Sequence, residues 1–266
     1  MELREYDLCT AVAVPSLFVE RSFVERGFPR ERLHRNALGV NQRQFQPPVH
    51  PPAPPNKSSL HVIYAGSLSI QKGVHDLLEG FSAAKLPDAR LTLVGGKTPQ
   101  LTPLIDRQSN CIRCLGHRPQ SELIQHYGLA HCFVMASIQE GMAMVQLQAL
   151  ACGLPLICTT NTGGEDLLRL GGEEIGVCTL ESNDSKGHNE SRPILEFSAG
   201  WVIPINSPQA IAFCLNRLAS EPGLWEEKRK QALALAQSTL SWASYGERAI
   251  SHYRSLLAHG RAGATP

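Results

Sequence analysis

The segment Ser137-Ile-Gln-Glu140-Gly-Met-Ala-Met-Val-Gln-Leu-Gln148-Ala-Leu-Ala-Cys-Gly-Leu-Pro-Leu156 concentrates residues able to do chemistry. Met142 to Ala151 is apolar almost all round, which predicts a buried helix starting just after a strand end. Glu140 and Gly141 stand at its entrance. Free amides of a first helical turn and the positive end of the dipole favour a phosphate or polarised hydroxyls there. Gln148 falls about two turns along, close to the face that Glu140 precedes, so the pair can hold a polar ligand across the helix end. A buried helix with an ordinary acidic cap is the alternative. Gly66-Ser67-Leu68 is no dinucleotide fingerprint, because the second and third glycines are missing.

The elements that must position these residues alternate. Leu60–Ala65, Leu91–Val94, Cys111–Leu115, Cys132–Met135, Leu154–Cys158 and Trp201–Ile203 read as strands. Between them, Val74, Leu77, Leu78 and Phe81, and then Leu123, Ile124 and Tyr127, recur at helical spacing. Ser207 as cap and Pro208 at the first helical position predict a further helix, with Ile211, Cys214, Leu215 and Leu218 on one face. Strands alternating with helices predict an α/β fold with a doubly wound parallel sheet, whose ligands sit at the carboxyl ends of its strands. Ahead of it, Ala11–Val14 predicts a short strand and Ser16 caps a helix running to about Arg26, closed by Gly27. Gln46-Pro-Pro-Val-His-Pro-Pro-Ala-Pro-Pro55 must be extended, which makes it a linker. Gly171 to Ser198 is polar and reads as an inserted surface loop, and two helices follow from Leu224 to about Leu257.

Composition narrows the class. Lys and Arg total 25 against 24 Asp and Glu, so no global field recruits nucleic acid. Hydrophobic residues at 42% and charged residues at 18% describe a chain that buries a core. No run approaches the roughly 18–20 apolar residues of a membrane span, and Leu8 to Val14 is too short for a signal peptide. The eight cysteines are scattered, and the one tight pair, Cys111 and Cys114, lies in a predicted strand. This usage points to a reducing compartment and a cytoplasmic address, where the acceptor pattern Asn189-Glu-Ser191 goes unglycosylated. His50, His61, His75, His117, His126 and His131 lack metal spacing with acidic neighbours.

Taken together, the motifs resemble the retaining GT-B glycosyltransferases of sequence family 4, chiefly their nucleotide-sugar-binding C-terminal domain. That family carries two glutamates in a context like E-G-F-G-x-x-x-x-E-A-x-A-x-G-x-P. Here Glu140, Ala149, Ala151, Gly153 and Pro155 fill the frame, Met142 and Ala143 stand for Phe-Gly, and Gln148 holds the second acidic place. Its G-R-x-x-x-x-K-G reads Gly66-Ser67 to Lys72-Gly73, so the lysine is present and the arginine is Ser67. Leu115-Gly116-His-Arg118, Thr160-Asn-Thr-Gly163-Gly164-Glu165 and Ala199-Gly-Trp-Val-Ile-Pro204 also match. So do Val14-Pro-Ser16 and Gly39-Val-Asn41 to Pro47, which resemble the interdomain region.

The resemblance implies a division of the chain into four parts: 1–46, a remnant of an N-terminal acceptor domain; 47–56, the linker; 57–222, the donor-binding domain; and 223–266, helices returning toward the N-terminal domain near Trp242 and Tyr245. It also implies roles. Lys72 neutralises the leaving diphosphate, and Glu140 accepts hydrogen bonds from the transferred sugar. Met142, Ala143, Met144 and Val145 offer backbone amides, and Gln148 bonds the ribose. Gly66 and Ser67 line the phosphate side, and Arg118 lies where the base is read. The implied reaction transfers a hexose-type sugar from a UDP- or GDP-sugar to an acceptor hydroxyl with retention, without metal or cofactor, the leaving phosphate helping to deprotonate the acceptor. It leaves room for peripheral membrane association of the full enzyme, and implies low activity for this chain alone. Two rival readings are a non-catalytic Rossmann-like nucleotide-binding or partner module, favoured by Ser67 and Gln148, and a nucleotide-sugar epimerase of the same fold.

Overall fold

Apolar runs bounded by glycine and proline become buried strands here, because both of their faces are covered by helices. The structure, a computed structural model, describes residues 2–106, 111–183 and 189–262. The chain opens with helix α1 (Glu2–Leu8), strand β1 (Val12–Val14), helix α2 (Leu17–Val24) and strand β2 (Leu33–Arg35). Ser16 caps α2 as its sequence predicts, accepting from the Val19 amide. The sequence predicts one strand in this region and the structure has two. Leu33-His-Arg carries no strand pattern of its own, and parallel pairing with β1, Val12 opposite Leu33, makes it one.

After the proline-rich stretch come β3 (His61–Ala65), α3 (Val74–Ala83), β4 (Arg90–Val94), α4 (Thr102–Asp106), β5 (Ile112–Cys114) and α5 (Gln120–Gly128). The chain continues with β6 (Cys132–Met135), α6 (Met144–Ala151), β7 (Leu156–Thr159), α7 (Gly164–Leu170), β8 (Gly176–Asn183) and β9 (Asn189–Phe197). It ends with β10 (Gly200–Ile203), α8 (Pro208–Ser220), α9 (Pro222–Ser238) and α10 (Trp242–Ala262).

One sheet runs β5-β4-β3-β6-β7-β10-β9-β8, parallel from β5 to β10. Register places Val62 opposite both Leu91 and Cys132, and Phe133 opposite Leu156. The order reverses between β3 and β6: the chain builds outward from β3 through β4 to β5, then returns to lay β6 on the other side. At such a reversal the connections leave in opposite directions and open a crevice at the strand ends. Helices cover both faces, α3 packing on α8 and α6 on α9.

Three sequence expectations are corrected. Gly171 to Ser198 is not a surface loop: its described part contains the antiparallel hairpin β8–β9, joined to β10 with Phe197 opposite Gly200. The outer edge of β10 would otherwise leave its amides and carbonyls unpaired, and Ile194 and Phe197 go into the core. Residues 184–188 of the polar Asn183–Ser191 run lie outside the described residues. Ser207 makes no side-chain cap bond, while Pro208 does open α8. The helix predicted from Met142 begins at Met144. No described helix is long and apolar enough to cross a membrane.

The proline-rich stretch forms neither helix nor strand, yet it is tied down at the amino ends of the strands. His131 and His61 exchange main-chain and ring contacts. The His61 amide donates to His131 Nδ1 at 2.8 Å, and the His131 amide donates to the His61 carbonyl at 2.8 Å. With Nδ1 accepting, Nε2 carries the proton and donates to the Ala53 carbonyl at 3.0 Å. Burial, with His61 adding to it against the pull of the Ala53 carbonyl, lowers the His131 pKa to about 4. Such a group stays neutral in the fold but takes a proton once unfolded near pH 6.5, so stability falls between those values on acidification. Unfolding free energy should therefore decline from pH 7 to pH 4 more steeply in the parent than in His131→Asn. Denaturant titrations at half-unit pH steps measure this, and parallel curves for the two proteins would refute it.

Candidate functional site

The crevice between β3 and β6 brings two charged side chains together. Leaving β3, the chain is zipped to its neighbours: the Gly66 amide donates to Val94 O at 2.9 Å, Leu68 to Gly96 O at 2.8 Å, and Gly95 to Gly116 O at 2.8 Å. It then turns at Gly73, whose φ is +62°, into α3. An ideal Cβ on Gly73 would lie 1.8 Å from the Ala136 carbonyl oxygen just past β6, so only glycine lets these backbones approach this closely. The Ile138 amide donates to Gln71 O at 2.9 Å and closes the junction. Lys72 and Glu140 thereby meet, the Lys72 ammonium donating to Glu140 Oε2, each side chain 24% exposed.

Glu140 itself lies in an irregular segment, 136–143, resting on the loop after β7. The Glu140 amide donates to Asn161 O at 2.9 Å. The Ala143 amide reaches Thr162 O at 3.4 Å, and Gln146 Nε2 donates to the same carbonyl at 2.8 Å. From there α6 starts with no side-chain cap. Met144 and Val145, its first residues, have no carbonyl one turn back within the helix, so their amides face the crevice end of its dipole. Gln148 is buried, and its Oε1 has no hydrogen-bond partner among the described residues. An unpartnered buried acceptor costs about 1–3 kcal/mol, which a ligand hydroxyl would recover. Behind Lys72, Tyr64 donates to Ser67 O at 2.9 Å, and burial, reinforced by the Glu140 carboxylate, pushes its pKa well up, so it stays a donor.

Of the residues read from sequence, Lys72, Glu140, Met142, Ala143, Met144, Val145 and Gln148 gather around the β3–β6 crevice and α6. Gly66 and Ser67 lie at the tip of β3, with Ser67 exposed. Arg118 is apart, beyond β5 at the sheet's other flank, and exposed with Glu122 at 3.8 Å. Sequence reading missed what holds the site: Asn161, Thr162 and Gln146, and the contact of the amino-terminal segment. Ser16 Oγ donates to Gly141 O at 2.6 Å, the Leu17 amide to Asp166 Oδ2 at 2.8 Å, and Arg35 pairs with Asp166 at 2.9 Å. The run Thr160–Glu165 was the signal available for Asn161 and Thr162; pairs such as Ser16 and Gly141, 125 positions apart, leave none.

A family model described as Glycosyl transferases group 1 matches residues 59–221. The chain is 25% identical over 199 residues to the putative colanic acid biosynthesis glycosyltransferase WcaL of Escherichia coli K12, covering 70% of this chain and 42% of that protein. It is 33% identical over 117 residues to glycogen synthase of Mycobacterium tuberculosis, covering 41% of this chain and 28% of that one. Among solved structures, sucrose-phosphate synthase from Thermosynechococcus elongatus superposes with a TM-score of 0.71 at 20% identity, over 97% of this chain and 61% of that one. Anabaena Alr3699/HepE in complex with UDP and glucose gives 0.68 at 16% identity, over 93% and 64%. The chain thus spans less than half of these curated relatives and under two thirds of these solved chains.

The junction that joins Lys72 to Glu140 is tested at Gly73. Gly73→Ala should destabilise by about 2 kcal/mol or more, since a left-handed turn costs roughly 1–2 kcal/mol and the clash adds to it. Gly27→Ala, at φ +83° with no atom within 4 Å of its Cβ, should cost only the backbone part. Urea unfolding of both variants measures the difference, and equal losses would show that the close approach is not needed.

Proposed function

The chain belongs to the family Glycosyl transferases group 1 and has the fold of a GT-B C-terminal domain, and on that premise we propose that residues 57–222 bind a nucleotide-sugar donor for glycosyl transfer. The observation that carries this reading is the meeting of Lys72 and Glu140 at the sheet reversal, beside the uncapped start of α6. Both partners are about three-quarters buried, so the desolvation of the two charges offsets much of their attraction, and fold stability is a poor reason for the pair. A ligand that is anionic at one end and hydroxylated at the other accounts for it better. Lys72 takes the diphosphate, with the amides of Met142, Met144 and Val145 beside it while that of Ala143 is taken by Thr162 O, and Glu140 accepts from hydroxyls of the transferred sugar. Gln148 Oε1 accepts from the ribose, Gly66 and Ser67 border the phosphates, and Arg118 stands on the base side.

The donor is a UDP- or GDP-hexose; a neighbour solved with UDP and glucose supports the former. The bond from the anomeric carbon to the diphosphate breaks and an acceptor hydroxyl adds on the same face, giving retention, while the chain supplies position and charge. Lys72 stands in for a divalent ion, so binding needs no metal. Residues 1–46 belong with an acceptor domain, 47–56 join the two, and 223–266 return toward it; the cytoplasm is the site of action. A nucleotide-binding module without catalysis is the second reading, and the single cation left by Ser67 favours it.

Three measurements decide. Lys72→Ala should weaken UDP or GDP about 10–100-fold in calorimetry and change uridine or guanosine less than about twofold, because a charge-assisted bond to phosphate is lost. Equal losses for nucleoside and diphosphate would remove the lysine from the phosphate site. Donor affinity should be the same with and without a chelator, while residues 1–266 alone release nucleotide slowly, one reactant's positioning surface being absent. Binding abolished by chelation and restored by magnesium or manganese would sink metal independence, and rapid turnover would overturn the division of the chain.

A further inference from the structure

Glu140 lies in a segment with no ladder of its own, so its main-chain groups must find partners elsewhere. One residue of the loop after β7 supplies them on both sides of Gln139. Asn161 Nδ2 donates to Ile138 O at 2.9 Å, and Asn161 O accepts from the Glu140 amide at 2.9 Å. The Thr160 hydroxyl donates to Asn161 Oδ1 at 3.2 Å, which turns the amide nitrogen toward Ile138. That loop is itself anchored, the Thr160 amide donating to Ile203 O at 3.1 Å at the end of β10. On the opposite side the Ile138 amide is held by Gln71 O, one residue before Lys72.

We propose that Asn161 is a positioning residue for Glu140, holding the carboxylate where a bound sugar meets it without touching the ligand; the proposal rests on the reading of Glu140 as the sugar-binding group. An asparagine is required because the same planar group must donate to one neighbour and accept from another. Alanine does neither, and aspartate would turn an acceptor toward the Ile138 carbonyl. Substitution leaves the main-chain bond to Glu140 and the ion pair to Lys72 in place, so the loop loosens and the fold survives. The loss therefore falls on the sugar. The diphosphate, held by Lys72 and the α6 amides, and the base, on the Arg118 side, are spared.

The test compares UDP with UDP-glucose, and GDP with GDP-mannose, by calorimetry on the whole chain. In Asn161→Ala and Asn161→Asp the sugar nucleotide should bind about 5–10-fold more weakly, the effect of one lost hydrogen bond, and the free nucleotide within about twofold of the parent. Hydrogen exchange should quicken in a peptide spanning 136–143 and stay unchanged in α3. A parallel loss for nucleotide and sugar nucleotide would mark Asn161 as merely structural, and unchanged affinities for both would remove it from the site; either outcome overturns the proposal. Should Asn161→Ala fail to fold, Asn161→Ser with the same readouts decides. A parent that binds none of the four ligands would instead overturn the donor reading on which the inference stands.

Discussion

The carbonyl oxygen of Ala136 occupies the space where a side chain on residue 73 would begin. Everything at the sheet's carboxyl edge follows from that approach of bare backbone to bare backbone. With glycine there, the turn into α3 lies against the end of β6, Gln71 receives the Ile138 amide, and Lys72 is carried to Glu140. The same device recurs one strand away, where a Cβ on Gly95 would lie 1.8 Å from Gly66 O. A larger residue at either place would force the strand ends apart, and the charged pair would separate with them.

Electrostatically the site is sparse. One lysine, one carboxylate and a helix start serve where the resemblance implies two cations and two carboxylates. The fold has not filled the gaps with other charge: Ser67 is exposed, and Gln148 is buried with its oxygen unmatched. Under the proposed donor reading, backbone amides at α6 would supply much of what meets an anion, and amides are positioned by the fold, whereas a lysine is positioned by its own flexible stem. This is why the loop after β7 matters: through Asn161 and Thr162 it fixes both Glu140 and the first turn of α6.

The opposite edge and the flanks do different physical work. The neutral ring of His131, accepting from the His61 amide and donating to the Ala53 carbonyl, ties the proline-rich stretch across the amino ends of the strands, so a segment unable to join a sheet is nonetheless fixed. The amino-terminal segment is clasped twice. Asp166, its carboxyl pKa raised by burial against the pull of the Leu17 amide and Arg35, holds it beside Gly141. Arg248 on α10 binds Asn36 Oδ1 and Ala37 O, each at 2.8 Å. Along α10, Trp242, Ile250, Tyr253 and Leu257 remain exposed on one side, so that helix is only partly covered.

The sequence by itself determined most of the alternation of buried strands and helices from Leu60 to Leu218, though not the short helices α4 and α7, because hydrophobic period and glycine punctuation are local properties. It also singled out Glu140 and Gln148 by their helical spacing after a strand end, and Lys72 through the family resemblance, as the residues proposed for the site. Tertiary structure decided the rest. Strand order cannot be read from periodicity, and the reversal between β3 and β6 is what makes residues 68 positions apart neighbours. The hairpin β8–β9 escaped because its polar composition reads as loop until an open sheet edge offers it partners. β2 escaped for the same reason, and Asn161 because its worth lies in two main-chain groups of a distant loop. Local preference is written in the chain, whereas the satisfaction of backbone groups is settled only when separate segments meet.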